Sequence, residues 1–351
     1  MATIDPIYKE LSSRLGLPNS QLLPRILAKL ANLEQAKIIR ELPSTPQDIA
    51  GKLGISVQTV ERHIRELYEK GVIFYTKKGP QLARSLMQLH DAALCNPKFD
   101  EMLGNEFFDL FAALMNEEIG PVAITEVLAG AGSGQPMMRI IPRWKSIKDL
   151  QGVLPCEDVR EIIKAQTMLA LVPCCCKREY RQRQCGTPTN SCISIGKTAQ
   201  YNIDRGAGRK LTAEEALKVI DECDDYPLIH VAPNQTVLNQ VFCNCHSCCC
   251  GFLHPVLSQT KYEVSQAIAR SRFEVTVDAK ECIQCGICVE RCQFKANSLE
   301  HNQEIGEECS TTDLDKCLGC GACVTSCPSG ARKMKLVRPP EHIPGTVGGI
   351  Y

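Results

Sequence analysis

The chain has 351 residues, 40 Lys plus Arg against 40 Asp plus Glu, and 22 cysteines. At roughly 150 residues per domain this length implies two to three cores, not one, and the cancelled charge excludes wholesale coating of a polyanion. Twenty of the cysteines lie between Cys174 and Cys327, which excludes a uniform background of structural thiols. The opening MATIDPIYKEL lacks the basic start and apolar core of a signal peptide, and no run approaches ~18 apolar residues, so a soluble, cytoplasmic protein with no membrane span is expected. In a reducing compartment, short repeated cysteine spacings point to metal ligation, not to disulfides.

Leu23, Ile26, Leu27, Leu30, Leu33 and Ile38 recur at helical spacing. Thr45 is placed to cap a second helix, with Pro46 at its first position and Asp48 three residues after the cap, and Gly54 marks the turn. Ser56 caps a third helix in which Val60, Ile64 and Leu67 share one face, while Gln58, Arg62, Arg65 and Glu69 point elsewhere. Gly71 stops it, VIFYT has strand character, and Lys77 to Pro80 form a turn. Helix, helix, helix and wing resemble the winged helix-turn-helix family over about sixty residues, and a domain over 1–90 is expected. The resemblance implies DNA binding, for which Arg62, Arg65, Lys77 and Lys78 would supply the charge. Residues 1–90 carry 13 basic and 8 acidic side chains, yet Glu61, Glu66 and Glu69 cancel Arg62, Arg65 and Lys70 on the recognition helix. Duplex DNA and a protein surface therefore both stay open as its partner.

Residues 91–150 read as a helical connector. In it, Phe107, Phe108, Leu110, Phe111 and Leu114 form the apolar face of a helix from Glu101 to Glu118, and GAGSGQP at 130–136 reads as a flexible linker. A cysteine-rich α+β domain is expected over 151–260. Its two cysteine segments, PCCCKREYRQRQCGTPTNSC and FCNCHSCCCG, hold ten cysteines. Three adjacent cysteines cannot all point inward, so each triplet contributes one or two ligands. Cys174, Cys176, Cys243 and Cys245 form the expected ligand set of one further cluster, with Cys185, Cys192, Cys248 and Cys250 available to a second. Thr212 and Glu215 make a capping box for the helix between the segments. His230 and His246 are candidates for metal ligation, a hydrogen-bonded structural role being the commoner one. Lys177, Arg178, Arg181, Arg183 and Arg205 would offset cluster charge or dock an acidic partner. KYEVSQAIARSR at 261–272 reads as a helix that joins this field to the last domain.

That domain, over 272–338, contains an internal duplication. CIQCGICVERCQFKA from Cys282 matches CLGCGACVTSCPSGA from Cys317 at 7 of 15 positions, 35 residues apart. Both copies read C-x2-C-x2-C-x3-C, the run that binds two iron-sulfur cubanes, the fourth cysteine of each run ligating the other cluster. Cys282, Cys285, Cys288 and Cys327 are expected to hold one four-iron four-sulfur cluster, and Cys317, Cys320, Cys323 and Cys292 the other. Gln293 replaces the proline that should follow the first run. FEVTV at 273–277 and KMKLV at 333–337 would be the outer strands, and 339–351 a tail. The region resembles the dicluster, bacterial-type ferredoxin family. The whole composite is similar to iron-sulfur electron-transfer subunits of anaerobes that combine a winged-helix-like start with a cysteine-rich run.

No acid-base pair, nucleophile motif or substrate pocket is legible. The expected fold is α+β in three parts: a helical winged-helix domain, a cysteine-rich middle and a dicluster ferredoxin domain. The expected function is a non-catalytic relay of single electrons, through two ferredoxin-type clusters and at least one further cluster, to or from a partner oxidoreductase. The alternatives are a redox-sensing winged-helix regulator and an enzyme whose middle cluster keeps an open iron.

Overall fold

Five helices lead the chain in the computed structural model, which describes residues 4–130 and 134–345: Pro6–Arg14, Leu23–Leu30, Leu33–Glu41, Pro46–Leu53 and Val57–Glu69. The apolar periodicity from Leu23 to Ile38 breaks at Asn32. Its side chain accepts from Gln35 N at 2.9 Å while Gln35 Oε1 accepts from Asn32 N at 3.1 Å. This reciprocal cap starts a new helix in a new direction. Thr45 and Ser56 cap their helices as their positions suggest, and Gly54, at φ 67°, turns between them in a conformation costly for other residues. β1 (Ile73–Thr76) and β2 (Gly79–Leu82) then pair antiparallel, with Lys77 and Lys78 exposed at the hairpin tip.

The connector is less regular than its sequence suggests. Helices Leu86–Leu94 and Asp100–Ala113 are followed by a wider, π-type turn at Leu114–Ile119 and by helix Gly120–Leu128, so Glu101 to Glu118 is not one helix. Gly104, at φ 66° and ψ 176°, kinks it further. The expected linker at 130–136 lies partly outside the described residues.

A seven-stranded sheet forms the centre. Its strands are β3 (Met138–Ile141), β4 (Leu169–Pro173), β5 (Asn190–Ile195), β6 (Arg209–Lys210), β7 (Ile229–Pro233), β8 (Val241–Cys245) and β9 (Ile268–Ala269). The order is β6-β4-β5-β8-β7-β3-β9, antiparallel throughout except for β3 beside β9. β3 thus brings part of the expected connector into the sheet. Side chains alternate between the two faces of each strand. Ile141, Leu169, Ile193 and Phe242 pack under helices Val159–Lys164 and Ala213–Asp224. Met138, Ile140, Val231, Cys243 and Cys245 face the other way and share one apolar cluster with Phe107 and Phe111 of the connector and with the core of the N-terminal helices. The expected joining helix at 261–272 does not form as a unit. Only Val264–Ala267 is helical, because Ile268 and Ala269 pair with Met138 and Arg139 at the sheet edge.

In the C-terminal region β10 (Phe273–Val277) pairs antiparallel with the last strand, with Phe273 opposite Leu336. Between the two cysteine runs, β11 (Asn297–Asn302) and β12 (Glu307–Thr312) form a hairpin; the last strand is β13 (Arg332–Leu336). The region is clamped to the sheet domain. Arg143 N donates to Cys320 O at 3.0 Å, and the Arg143 guanidinium reaches Thr325 and the carbonyls of Asp224, Tyr226 and Leu228. Arg272 pairs with Glu157 at 2.8 Å, both almost wholly buried. Contact is close enough at Gly321 that an added Cβ would meet Ser146 Oγ at 2.2 Å.

Candidate metal centres

The two cysteine runs fold back on each other so that each borrows from its partner. Cys282, Cys285 and Cys288 line one cavity with Cys327, and Cys317, Cys320 and Cys323 line another with Cys292. Glycines at φ 73° (Gly286) and φ 74° (Gly321) turn the chain within each run and start a one-turn helix that carries its third cysteine. Donors are aimed at the sulfurs: Ser310 N lies 3.3 Å from Cys282 Sγ, Ala296 N lies 3.2 Å from Cys292 Sγ, and Arg332 Nη1 lies 3.6 Å from Cys323 Sγ. Four converging thiols with N–H donors beside them fit a cubane, whose ligands are thiolates and whose potential depends on such hydrogen bonds.

The cavities differ in setting. Cys285 is exposed and Ile283 beside it is 61 % exposed, so the first cavity faces solvent. Cys292, Cys317 and Cys320 of the second pack against the apolar cluster that also contains Cys243, Cys245 and Cys250. Gln293, where the run departs from proline, accepts from Ser247 N at 3.0 Å and from Ser247 Oγ at 2.5 Å. The departure joins this run directly to the second cysteine segment.

The middle field sorts its ten cysteines by strand register. Val172 stands opposite Cys192, Ile193 opposite Phe242, and Val231 opposite Cys243. Cys174, Cys192, Cys243 and Cys245 therefore emerge at one end of the sheet on one face. Six thiols close into a ring in which each touches two others: Cys174, Cys192, Cys243, Cys245, Cys250, Cys176 and back to Cys174. The expected set of four lies within this ring. Cys192 and Cys250, set aside for a second site, belong to the ring as well, because β5 lies between β4 and β8 and the turn after His246 carries Cys250 inward. Hydrogen bonds from Cys192 and Cys245 bring the Cys243 thiol down to about 6. Burial alone would raise Cys250, but hydrogen bonds from Cys176, Cys245 and the Leu253 and Phe252 amides bring it down to about 5.

The remaining members lie outside the ring. Cys175 lies at the ring's edge, its sulfur 3.9 Å from Cys176 Sγ and 3.4 Å from Asp91 Oδ1, while Cys185, Cys248 and Cys249 form a separate trio. Cys249 gives no sequence signal that distinguishes it from Cys250. His230 is structural, its ring 2.6 Å from Asn244 Oδ1 and 3.1 Å from Asp224 Oδ1 on the face opposite the thiols. The expected basic patch is spent on packing: Lys177 donates to Pro188 O and Ser191 Oγ, Arg178 binds Asp100 and Leu94 O, and Arg181 lies over the Phe108 ring. Arg205 is buried against Glu69 O and Ala92 O. Burial of Lys177 and Arg205 and the pairing of Arg178 tie the cysteine field to the helices before it and remove those three from a docking surface, whereas Arg183 stays exposed.

Comparison with protein families agrees with the two ends of the chain. Residues 281–332 match the 4Fe-4S dicluster domain, and residues 43–73 match the winged helix-turn-helix DNA-binding family. No curated protein and no solved structure matches the chain. The protein thus carries an N-terminal winged helix and a C-terminal ferredoxin-type iron-sulfur domain in an α+β fold. No helix among the described residues is long and apolar enough to cross a membrane.

Proposed function

We propose that the chain passes single electrons between a partner oxidoreductase and its own cysteine-rich core. Cys282, Cys285, Cys288 and Cys327 are assigned to an outer four-iron cluster, and Cys292, Cys317, Cys320 and Cys323 to an inner one. The six-thiol ring is assigned to at least one further iron-sulfur cluster. Bound in these sites, such clusters supply reversible one-electron chemistry. The observation that carries this reading is the direct contact between Gln293, next to Cys292 of the inner cavity, and Ser247 in the cysteine segment that supplies Cys243, Cys245 and Cys250. The chain's own residues keep the arrangement rigid and dry, and the exposed Cys285 and Ile283 edge is the port for the partner. Anaerobically purified, fully loaded protein is expected to contain at least eight irons and eight sulfides for the ferredoxin-type domain, with further iron bound to the ring. Fewer than eight of either would sink the two-cubane assignment. Magnetic interaction between the reduced inner cluster and the ring cluster is expected in electron paramagnetic resonance, and its absence would separate the domains into independent modules.

A second reading is favoured by the exposure of Gln58, Arg62 and Arg65 on helix Val57–Glu69 and of Lys77 and Lys78 on the hairpin. Here the winged helix binds duplex DNA and the clusters report redox state. Arg205 joins the two parts, since it holds Glu69 O at 3.1 Å and Ala92 O at 2.7 Å on the helix that carries Asp91 beside Cys175. Salt-dependent binding to duplex DNA that is weakened by R62A and R65A is expected on this reading. No binding at low salt in either redox state leaves the winged helix as a protein-docking module.

A further inference from the structure

Cys185, Cys248 and Cys249 stand apart from the ring and are spaced differently. Their sulfurs all lie within 4.8 Å of one another. Three thiolates around one tetrahedral ion, at metal-sulfur bonds of about 2.3 Å, stand roughly 3.8 Å apart. A four-iron core adds its own iron-iron edges between the thiolates and holds them wider. What marks the trio is that all three sulfurs are mutually close, as ligands gathered round a single ion are, whereas in the ring each thiol meets its neighbours only.

We propose that Cys185, Cys248 and Cys249 bind one thiophilic divalent cation, zinc first, and leave its fourth position open to an external ligand. Soft thiolates select such ions over magnesium or calcium. Among the described residues no fourth ligand atom gathers with the three. His246 is nearest: its Nδ1 lies 3.0 Å from Cys248 Sγ and accepts from Cys248 N at 3.3 Å, so it sits beside one sulfur and caps the loop instead of gathering with all three. Cys185 and Cys248 are only half-buried, which gives a small ligand access. An ion with three thiolates carries one net negative charge, and Arg183, which donates to Cys248 O and stacks 4.0 Å over the Tyr180 ring, places a cation beside it. Three protein ligands with a free fourth place are the pattern of a catalytic ion rather than a purely structural one. One other trio is as close, His90, Asp91 and Cys175, but both imidazole nitrogens there are engaged, by Asp91 at 2.9 Å and by Glu179 at 2.8 Å.

The site stands apart from the electron-transfer reading, since the ring and the two cavities keep their ligands if it fails. Full-length protein, purified anaerobically and dialysed with zinc, is assayed for zinc and iron per chain. One tightly held zinc is expected, and C249S should lose it with iron unchanged. X-ray absorption at the zinc edge of the unaltered protein, which needs no variant to fold, should show three sulfurs at about 2.3 Å and one lighter atom. In cobalt-substituted protein, added imidazole should shift the thiolate-to-cobalt bands. A loss of about four irons in C249S would make the trio part of a cluster site, and no retained zinc would leave it as free thiols. A closed four-donor shell from the protein, or bands indifferent to imidazole, would refute the open position. Each of these outcomes overturns the proposal.

Discussion

Replacing Cys250 by serine is expected to remove about four irons per chain, whereas C223S leaves the iron content unchanged. The two cysteines are matched in burial, so the comparison isolates ligation from packing. Cys223 sits on helix Ala213–Asp224, away from the ring, and burial pushes its thiol up to about 12. Cys250 is in contact with Cys176 and Cys245, and the Phe252 amide points at its sulfur from 3.4 Å, which favours the charged form that binds iron. C243S should behave as C250S does. Metal analysis with visible absorption of anaerobically reconstituted protein checks the prediction, and equal iron in C250S and C223S would remove the ring from the cluster-binding assignment. The ferredoxin-type clusters are an internal reference, because their four-cysteine cavities contain neither residue.

The second large effect is on stability. R143M is expected to destabilise the protein by about 3–5 kcal/mol, the usual cost of removing one partner from a buried pair. Arg143 Nε lies 3.1 Å from Asp224 Oδ1, with both side chains less than a tenth exposed. The same guanidinium is the donor for the carbonyls of Asp224, Tyr226 and Leu228 and for Thr325 across the domain boundary. Methionine fills much of the volume and satisfies none of these acceptors. K145M is the control. Lys145 pairs with Asp221 at 2.8 Å on the surface, 45 % and 48 % exposed, and such pairs contribute less than about 1 kcal/mol. Urea unfolding midpoints of the holoprotein give the comparison, and equal midpoints for the two variants would refute the clamp.

The same pair predicts a pH dependence with a definite sign. Burial alone would raise the Asp224 carboxyl, but His230, Arg143 and Lys145 hold it below the usual carboxylate value. A depressed acid stabilises the folded state above its ordinary pKa, and that contribution is lost as pH falls through the depressed value. The stability advantage of the wild type over D224N is therefore full at neutral pH and shrinks only below the usual carboxylate range. An advantage that grows on acidification would contradict the assignment of charge to Asp224.

Local signals account for the parts that were legible. The caps at Thr45 and Ser56 and the glycine at 54 act within four residues, so short-range chemistry announces the N-terminal helices. Asn32 offered the same kind of signal, but the apolar spacing across it concealed the break. The repeat at Cys282 and Cys317 is legible for a related reason. Two-residue gaps bring three thiols of each run to one cavity with no help from distant chain.

Tertiary structure decided the rest. The ring depends on β5 pairing between β4 and β8, which brings Cys192 beside Cys243 from 51 positions away in the chain. Spacing in the chain carries no trace of that register. The turn after His246 sends Cys250 toward Cys245 and Cys249 toward Cys185, although the two are neighbours in the chain. Likewise, the missing proline at Gln293 is visible in the sequence, but its partner Ser247 lies 46 residues away and comes into reach only when the two domains dock. The lining of the two four-cysteine cavities could be read because the first three thiols of each run are set by local geometry. The middle thiols could not, because only long-range strand pairing settles which face of a strand, and so which metal site, each of them reaches.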